Sequence, residues 1–375
     1  MKKIGIITFH SSHNCGSIMQ AYAMQKIVEK MGYKPEIIDY SNEGQRNLYA
    51  VKQKNTNIKK IIKNAVLIPF RKRLYTNFND YEEYKNEHLY LSKRKYTEKK
   101  QLANIENQYD AFISGSDQIW NVTCADFDDS YLLDFVKEKK KIAYAPSFGA
   151  KNITKYSNDI SKHKALLEQY SAISSREKNG KKWLEELLGI NIPVVLDPTL
   201  LINCDDYNDI IEDSGVQGEY IFYYCPSFIK VADEFVKEIS KKYKLPVVTW
   251  GAKGYITHCE FKNNFKITYH QNPGIYLDLI KNAKLVVTTS FHGTVFSTVF
   301  NKNFWVVKNG GMLGDDDRVK TLLEQLNYQN RLIDPNNYNI EKIFEDVDYT
   351  DYKKNLEKAR ENSMQFLKEA LDDIK

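Results

Sequence analysis

Apolar residues along this chain follow two alternating rhythms. Short unbroken runs, such as KIGIITF at 3–9, have the pattern of strands buried on both faces of a parallel sheet. Longer stretches with apolar residues three and four apart, such as IMQAYAMQKIVEKMG at 18–32, predict helices, and Gly32 supplies a C-cap. With PEIIDY at 35–40, the first forty residues read as a βαβ unit, whose right-handed crossover implies an open doubly wound sheet. Residues 41–105 interrupt the rhythm. They are rich in Lys, Asn and Tyr and read as an insertion over one sheet edge, with helical excursions such as NIKKIIKNAVLIPF at 57–70. Strand patterns return at 109–116, 140–149, 170–177 and 192–199, with a helix at 181–189.

The polar, Asp-rich stretch 201–220 has two glycines and marks a linker. A second series follows it: strands at 220–225, 245–250, 265–270, 285–290 and 304–309, and helices at 230–243, 274–283, 293–301 and 317–327. The resulting division is an N-terminal α/β domain at 1–205, a C-terminal one at 215–335 and a helical segment at 340–375. The long amphipathic helix at 351–374 has no strand after it, so it is expected to pack across the surface.

At 375 residues, two domains are the default expectation. The net charge of +5 is mild, and no dense basic block alternates with stacking aromatics, so nucleic acid is not expected as a partner. Cys15, Cys124, Cys204, Cys225 and Cys259 are scattered and lack CxxC spacing, which points to a reducing compartment rather than a disulfide framework or structural zinc. The N-terminal apolar run is too short for a signal peptide, and no window reaches the roughly 20 apolar residues of a spanning helix. A cytoplasmic protein is the expectation. The lysine runs alone suggest peripheral contact with the inner membrane surface.

In doubly wound sheets, ligands bind at the carboxyl ends of strands, where helix N-termini present free N–H groups. Four such turns carry candidate residues. After the first strand come His10, His13, Asn14, Gly16 and Ser17, which can either cap the following helix or meet phosphate and sugar hydroxyls. FISGSDQIWN places Asp117 at a predicted helix start, as an N-cap or as a general base, with Gln118, Trp120 and Asn121 as a carbohydrate surface. SSRE sets Arg176 at a strand end, either forked onto a carboxylate or phosphate or paired with Glu177. SFHGT joins Ser290, His292, Gly293 and Thr294 at a strand-to-helix junction, where an imidazole can cycle a proton. Downstream, the glycine-rich GGMLGDDDRVK ends at Arg318, a cation able to close on a phosphate. The DDD at 315–317 lacks calcium-loop spacing and no histidine pair has zinc spacing, so no metal is expected.

These motifs, with YAPSFG and VLDPTLL between them, occur in an order that resembles the polysaccharide pyruvyl transferase family from residue 3 to about 332. The resemblance implies two Rossmann-like domains facing across a cleft, similar to B-type glycosyltransferases. It implies transfer of pyruvate from phosphoenolpyruvate onto two hydroxyls of a lipid-linked or nucleotide-linked sugar, giving a ketal, with no cofactor required. By the same resemblance, His292 is the catalytic histidine, Arg176 engages the donor and Asp117 lies near the acceptor. Some members carry arginine where this chain has Ser290, so another cation, Arg318 or a lysine of the insertion, holds the donor, or the donor differs. Two other readings stay open: a glycosyltransferase with a nucleotide-sugar donor, and a glycan-binding protein without activity.

Overall fold

A computed structural model describes residues 1–308, 317–372 and 374. The first sheet is parallel throughout, in the order β2-β1-β3-β4-β5. Its strands are β1 (Lys3–Ile7), β2 (Lys34–Ile37), β3 (Ala111–Ser114), β4 (Lys140–Ala143) and β5 (Ala172–Ile173). The second sheet runs β11-β10-β9-β6-β7-β8, also parallel. It contains β6 (Ile221–Tyr224), β7 (Val247–Thr249), β8 (Lys266–Ile267), β9 (Leu285–Thr288), β10 (Phe304–Val307) and β11 (Leu332–Ile333). β3 and β9 are buried at every position because helices cover both sheet faces.

Both orders reverse direction once, between β1 and β3 in the first sheet and between β6 and β9 in the second. Such a reversal leaves a crevice beyond the strand ends, because adjacent crossover helices depart to opposite faces. The helices leaving these points include α1 (Cys15–Lys30), after β1, and, in the second sheet, α8 (Lys230–Tyr243), after β6, and α11 (Phe291–Val299), after β9.

The 41–105 insertion is largely helical, with α2 (Glu43–Tyr49), α3 (Ile58–Val66) and α4 (Arg71–His88). Past α4, Leu91 bridges to Ile37 of β2 and Tyr96 to Tyr40 just beyond it. α4 instead reaches the second sheet's side: Asn77 donates to the Tyr269 carbonyl at 2.6 Å and Tyr84 to that of Ile210 at 2.7 Å. Further along the chain come α5 (Ile153–Tyr156), α6 (Ile160–Leu167), α7 (Lys178–Leu188), α8 (Lys230–Tyr243), α9 (Ala252–Thr257), α10 (Pro273–Asn282), α11 (Phe291–Val299), α12 (Arg318–Leu326) and α13 (Thr350–Leu371). One core cluster runs from Ile4 and Ile6 of the first sheet through α1 to Val286 of the second sheet and Phe296 of α11. α1 packs on both α10 and α11, so the two halves share a dry seam.

Three strand expectations need correction. Residues 192–199 form no sheet strand; Val194 makes one isolated bridge to Ser175, since Pro193 and Pro198 cannot donate to a ladder. The strands expected at 170–177 and 265–270 shrink to two residues each at the sheet margins. The terminal helix, α13, returns to the first half: Ser363 accepts from the Leu196 amide at 3.0 Å, and Arg360 donates to the Ile202 carbonyl at 2.9 Å.

Candidate active site

The turns leaving β1, β3 and β9 converge on one polar cluster at the seam. Ser290 ends the last of these as the N-cap of α11, accepting from the Gly293 amide at 3.3 Å. That cap fixes the helix start, so His292 projects from the first turn toward α1. Gly16 makes room for it. A Cβ at Gly16 would lie 2.0 Å from Nδ1 of His292 and 2.3 Å from Cγ. The glycine is therefore the floor under an imidazole from the other half of the molecule.

Opposite the ring stands Asp197, with one carboxylate oxygen, Oδ2, 3.6 Å from Nε2 of His292. That separation exceeds a hydrogen bond, and the buried Nε2 has no hydrogen-bond partner. The same Oδ2 accepts from Arg176 at 2.9 Å and Ser116 at 3.2 Å, while Oδ1 accepts from the amide and hydroxyl of Thr199. Exposure is 1% for Asp197, 3% for Arg176 and 8% for His292, so the group is nearly closed to water. Burial alone would raise the Asp197 carboxyl, but His292, Arg176 and Thr199 outweigh it and hold the group well below the usual carboxylate range. Arg176 also lies over the Phe291 ring at 4.4 Å, and its Nε has no hydrogen-bond partner.

Two more carboxylates border this cluster. Glu177 is fully buried and accepts from Ser147 at 2.8 Å and the Phe148 amide at 2.9 Å. Burial pushes its carboxyl up to about 7, against the pull of Arg176 and Arg318. Asp117, at φ 74°, takes a short hydrogen bond from Ser17, the residue after Gly16. No helix begins at Asp117; the chain turns, and Asp117 bridges to Pro146 instead. Asp117 is thus not an N-cap, and its charge reaches Asp126, whose carboxyl is raised by burial to about 6.

The remaining candidates divide. Asn14 caps α1 by accepting from the amides of Gly16 and Ser17. His13 turns away, bonded to Glu82 at 3.0 Å and stacked on Tyr81 of α4. His10 binds Asp39 at 3.1 Å inside the first half. Trp120 is fully buried, edge-on to Phe148 and Tyr170, with its indole N–H on the Tyr131 carbonyl, so it offers no ring face to a sugar. Gln118 and Asn121 bond one another beside Gly149. Thr294 is buried and donates to the Ser290 carbonyl, and Gly293 lets α11 approach Thr288. Arg318 opens α12 and its charge acts on Glu177 and Cys124. The glycine-rich stretch before it, including Asp315 and Asp316, lies outside the described residues.

Asp197, Ser116 and Glu177 were not singled out by the sequence as site residues. Asp197 lies inside the expected strand 192–199 and within VLDPTLL, one of the motifs that carry the family resemblance, and that motif was its one signal. Among the described residues, no three His, Cys, Asp or Glu side chains converge as they would on a metal ion.

Beside the cluster lies a cavity of about 360 Å³ between the insertion and the carboxyl ends of β6 and β7. Aromatic side chains dominate its wall, with Tyr49, Phe78 and Tyr81 on one side and Tyr224, Phe228 and Trp250 on the other. Lys253 supplies a cation, and burial lowers its ammonium to about 8. Cys15 also lines it, but burial pushes the thiol up to about 12, which makes it a poor nucleophile.

Solved structures with this architecture include a UDP-GlcNAc 2-epimerase from Neisseria meningitidis bound to UDP-GlcNAc, at 11% identity and TM-score 0.50, covering 99% of each chain. A putative UDP-N-acetylglucosamine 2-epimerase from Listeria monocytogenes is similar at 9% identity and TM-score 0.51, over 99% of this chain and 97% of that one. At these identities the likeness shows the fold alone, the two doubly wound parallel sheets that these epimerase structures share. No curated protein matches the chain. The sequence itself matches the polysaccharide pyruvyl transferase family over residues 14–311, a span holding Gly16, Asp117, Arg176, Asp197 and His292. On that match the chain belongs to the polysaccharide pyruvyl transferase family.

Proposed function

We propose that this protein transfers the pyruvate unit of phosphoenolpyruvate onto two hydroxyls of a glycan sugar, forming a ketal and releasing phosphate. The observation that carries the reading is the imidazole of His292, buried over Gly16 and facing Asp197, with Nε2 left without a hydrogen-bond partner. An acid–base group needs such a site: oriented, shielded from water and with one nitrogen uncommitted.

The chemistry assigns a part to each neighbour. Proton delivery to the donor's methylene carbon leaves a cationic central carbon, which a sugar hydroxyl attacks. Phosphate leaves, the second hydroxyl closes the ring, and of the two hydroxyl protons one offsets the proton on the new methyl and one leaves with phosphate. His292 cycles the proton, and the anionic Asp197 holds the imidazole and balances its charge. Asp117, oriented by Ser17, takes the hydroxyl proton. Arg176 is pinned by Asp197, so it attracts the donor's carboxylate or phosphate from a fixed position rather than by reaching outward. The aromatic cavity receives the acceptor.

The test is phosphate release from phosphoenolpyruvate in the presence of lipid-linked and nucleotide-linked sugars. Acceptor-dependent release, reduced about 10³-fold in His292→Ala, is the expected result. The aromatic cavity also suits a base, which favours a nucleotide-sugar glycosyltransferase as the second reading. Nucleoside diphosphate release from a sugar nucleotide, with no phosphate from phosphoenolpyruvate, would establish it instead.

A further inference from the structure

Helix α3 is built inside out. Ile58, Ile61, Ile62 and Val66 share one face at helical spacing, and they are 74%, 48%, 58% and 48% exposed. Its polar edge is the half-buried one: Lys60, Lys63 and Asn64 turn inward, and Asn64 bonds the Gln53 carbonyl at 2.8 Å. The apolar surface continues past the helix through Ile68 and Phe70, 53% and 40% exposed. An amphipathic helix folded against protein in water presents the opposite face, so this arrangement needs a cover.

Charge identifies the cover. Residues 50–79 contain eight lysines and arginines and no aspartate or glutamate. Among the described residues, only Lys54 of these meets an acid, Glu43. Uncompensated positive charge beside exposed isoleucine is the combination that holds a helix in the plane of an anionic bilayer: lysines at the phosphates, isoleucines in the acyl boundary. A second copy of the chain would bring like charge against like charge. The insertion's other side, through Leu48, Tyr49, Ala50, Val51 and Phe78, forms a wall of the aromatic cavity.

We propose that α3 and the adjoining Ile68–Phe70 turn dock this protein onto an anionic membrane surface. Docking there brings the cavity wall to the bilayer and, on the acceptor reading above, to a lipid-linked sugar. The test is co-sedimentation of the full chain with phosphatidylcholine vesicles containing about one third phosphatidylglycerol, and with phosphatidylcholine alone, at about 0.15 M salt. The expected result is binding to the anionic vesicles, weakened at least about tenfold by Ile61→Asp with Ile62→Asp, and separately by reversing the exposed cations, Lys59→Glu with Arg71→Glu and Lys72→Glu. α3 buries no residue, so circular dichroism and the melting temperature should stay as in wild type. Wild-type protein left in the supernatant with both vesicle types overturns the proposal, as does binding that survives the isoleucine pair. Dimers that the isoleucine pair dissociates, with no vesicle binding, would assign the face to a second copy and overturn it equally. None of these readouts depends on the transfer reaction.

Discussion

The polar cluster and the aromatic cavity share the N-terminus of α1 yet are built in opposite ways. Around His292 and Asp197 polar groups are packed together: Asp197 accepts from Arg176, Ser116 and Thr199, three residues are almost fully buried, and Nε2 of His292 and Nε of Arg176 are left without hydrogen-bond partners. Around Trp250 and Tyr224 there is volume, apolar surface and one cation of weakened basicity. Cys15 belongs to the cavity wall and Gly16 to the floor under His292, so the boundary falls between consecutive residues. On the proposed function, such a division would let binding and chemistry be tuned apart, the cavity supplying contact area and the cluster a preorganised field. Substitutions in the cluster should therefore act on kcat, and those in the cavity on KM.

The sharpest way to break that division is Gly16→Ala, because it alters no ionisable group. Gly16 sits in the first turn of α1 without a positive φ, so alanine there suits the helix itself. Its methyl would nonetheless lie 2.0 Å from Nδ1 of His292, and the ring must leave its place. The expected kcat loss approaches that of deleting the imidazole, about 10³-fold, with the helical circular dichroism kept. A variant retaining wild-type kcat would show that the position of His292 over α1 is irrelevant to turnover.

How far the sequence foretold this site depends on which interaction decided each position. The βα rhythm was legible because it rests on local spacing, and it located the turns holding Gly16, Asp117, Arg176 and His292. That Gly16 serves His292 was not legible, since the contact joins two halves of the chain and leaves no spacing to read. Trp120 beside Gln118 and Asn121 resembled a sugar platform, but its large apolar surface was claimed by the first half's core instead. α4 escaped notice because Leu74, Tyr81 and Tyr84 are buried among residues that read as polar, and tyrosine hides an apolar ring behind a hydroxyl. Residues 192–199 had the apolar content of a strand, and their prolines withheld the donors.

Glu177 tests how closed the cluster is. Its carboxyl is raised to about 7 by burial, above the roughly 4.3 of an unfolded chain. Between those values the folded protein binds a proton that the unfolded chain has released, so stability falls as pH rises through the window. The drop amounts to roughly 4 kcal/mol from end to end. Glu177→Gln cannot ionise, and its melting temperature should stay flatter than wild type between about pH 5 and 7.5. Parallel curves for the two proteins would mean that water reaches Glu177 and that the cluster is open.

The cavity predicts a smaller effect of the other kind. Phe78 lies on α4 and lines the cavity, and it packs edge-on against His13 at 4.5 Å between ring centres. It is only half-buried, so removing its ring takes away contact surface without emptying the main core. One aromatic contact is worth about 1 kcal/mol, which sets the expected rise in KM for the acceptor near fivefold in Phe78→Ala. kcat should stay within about a factor of two, because Asp197, Arg176 and His292 keep their mutual contacts. A fall in kcat at unchanged KM would instead couple the cavity to the reacting centre. The two regions would then be one site, with α1 transmitting displacement from Cys15 to the imidazole over Gly16.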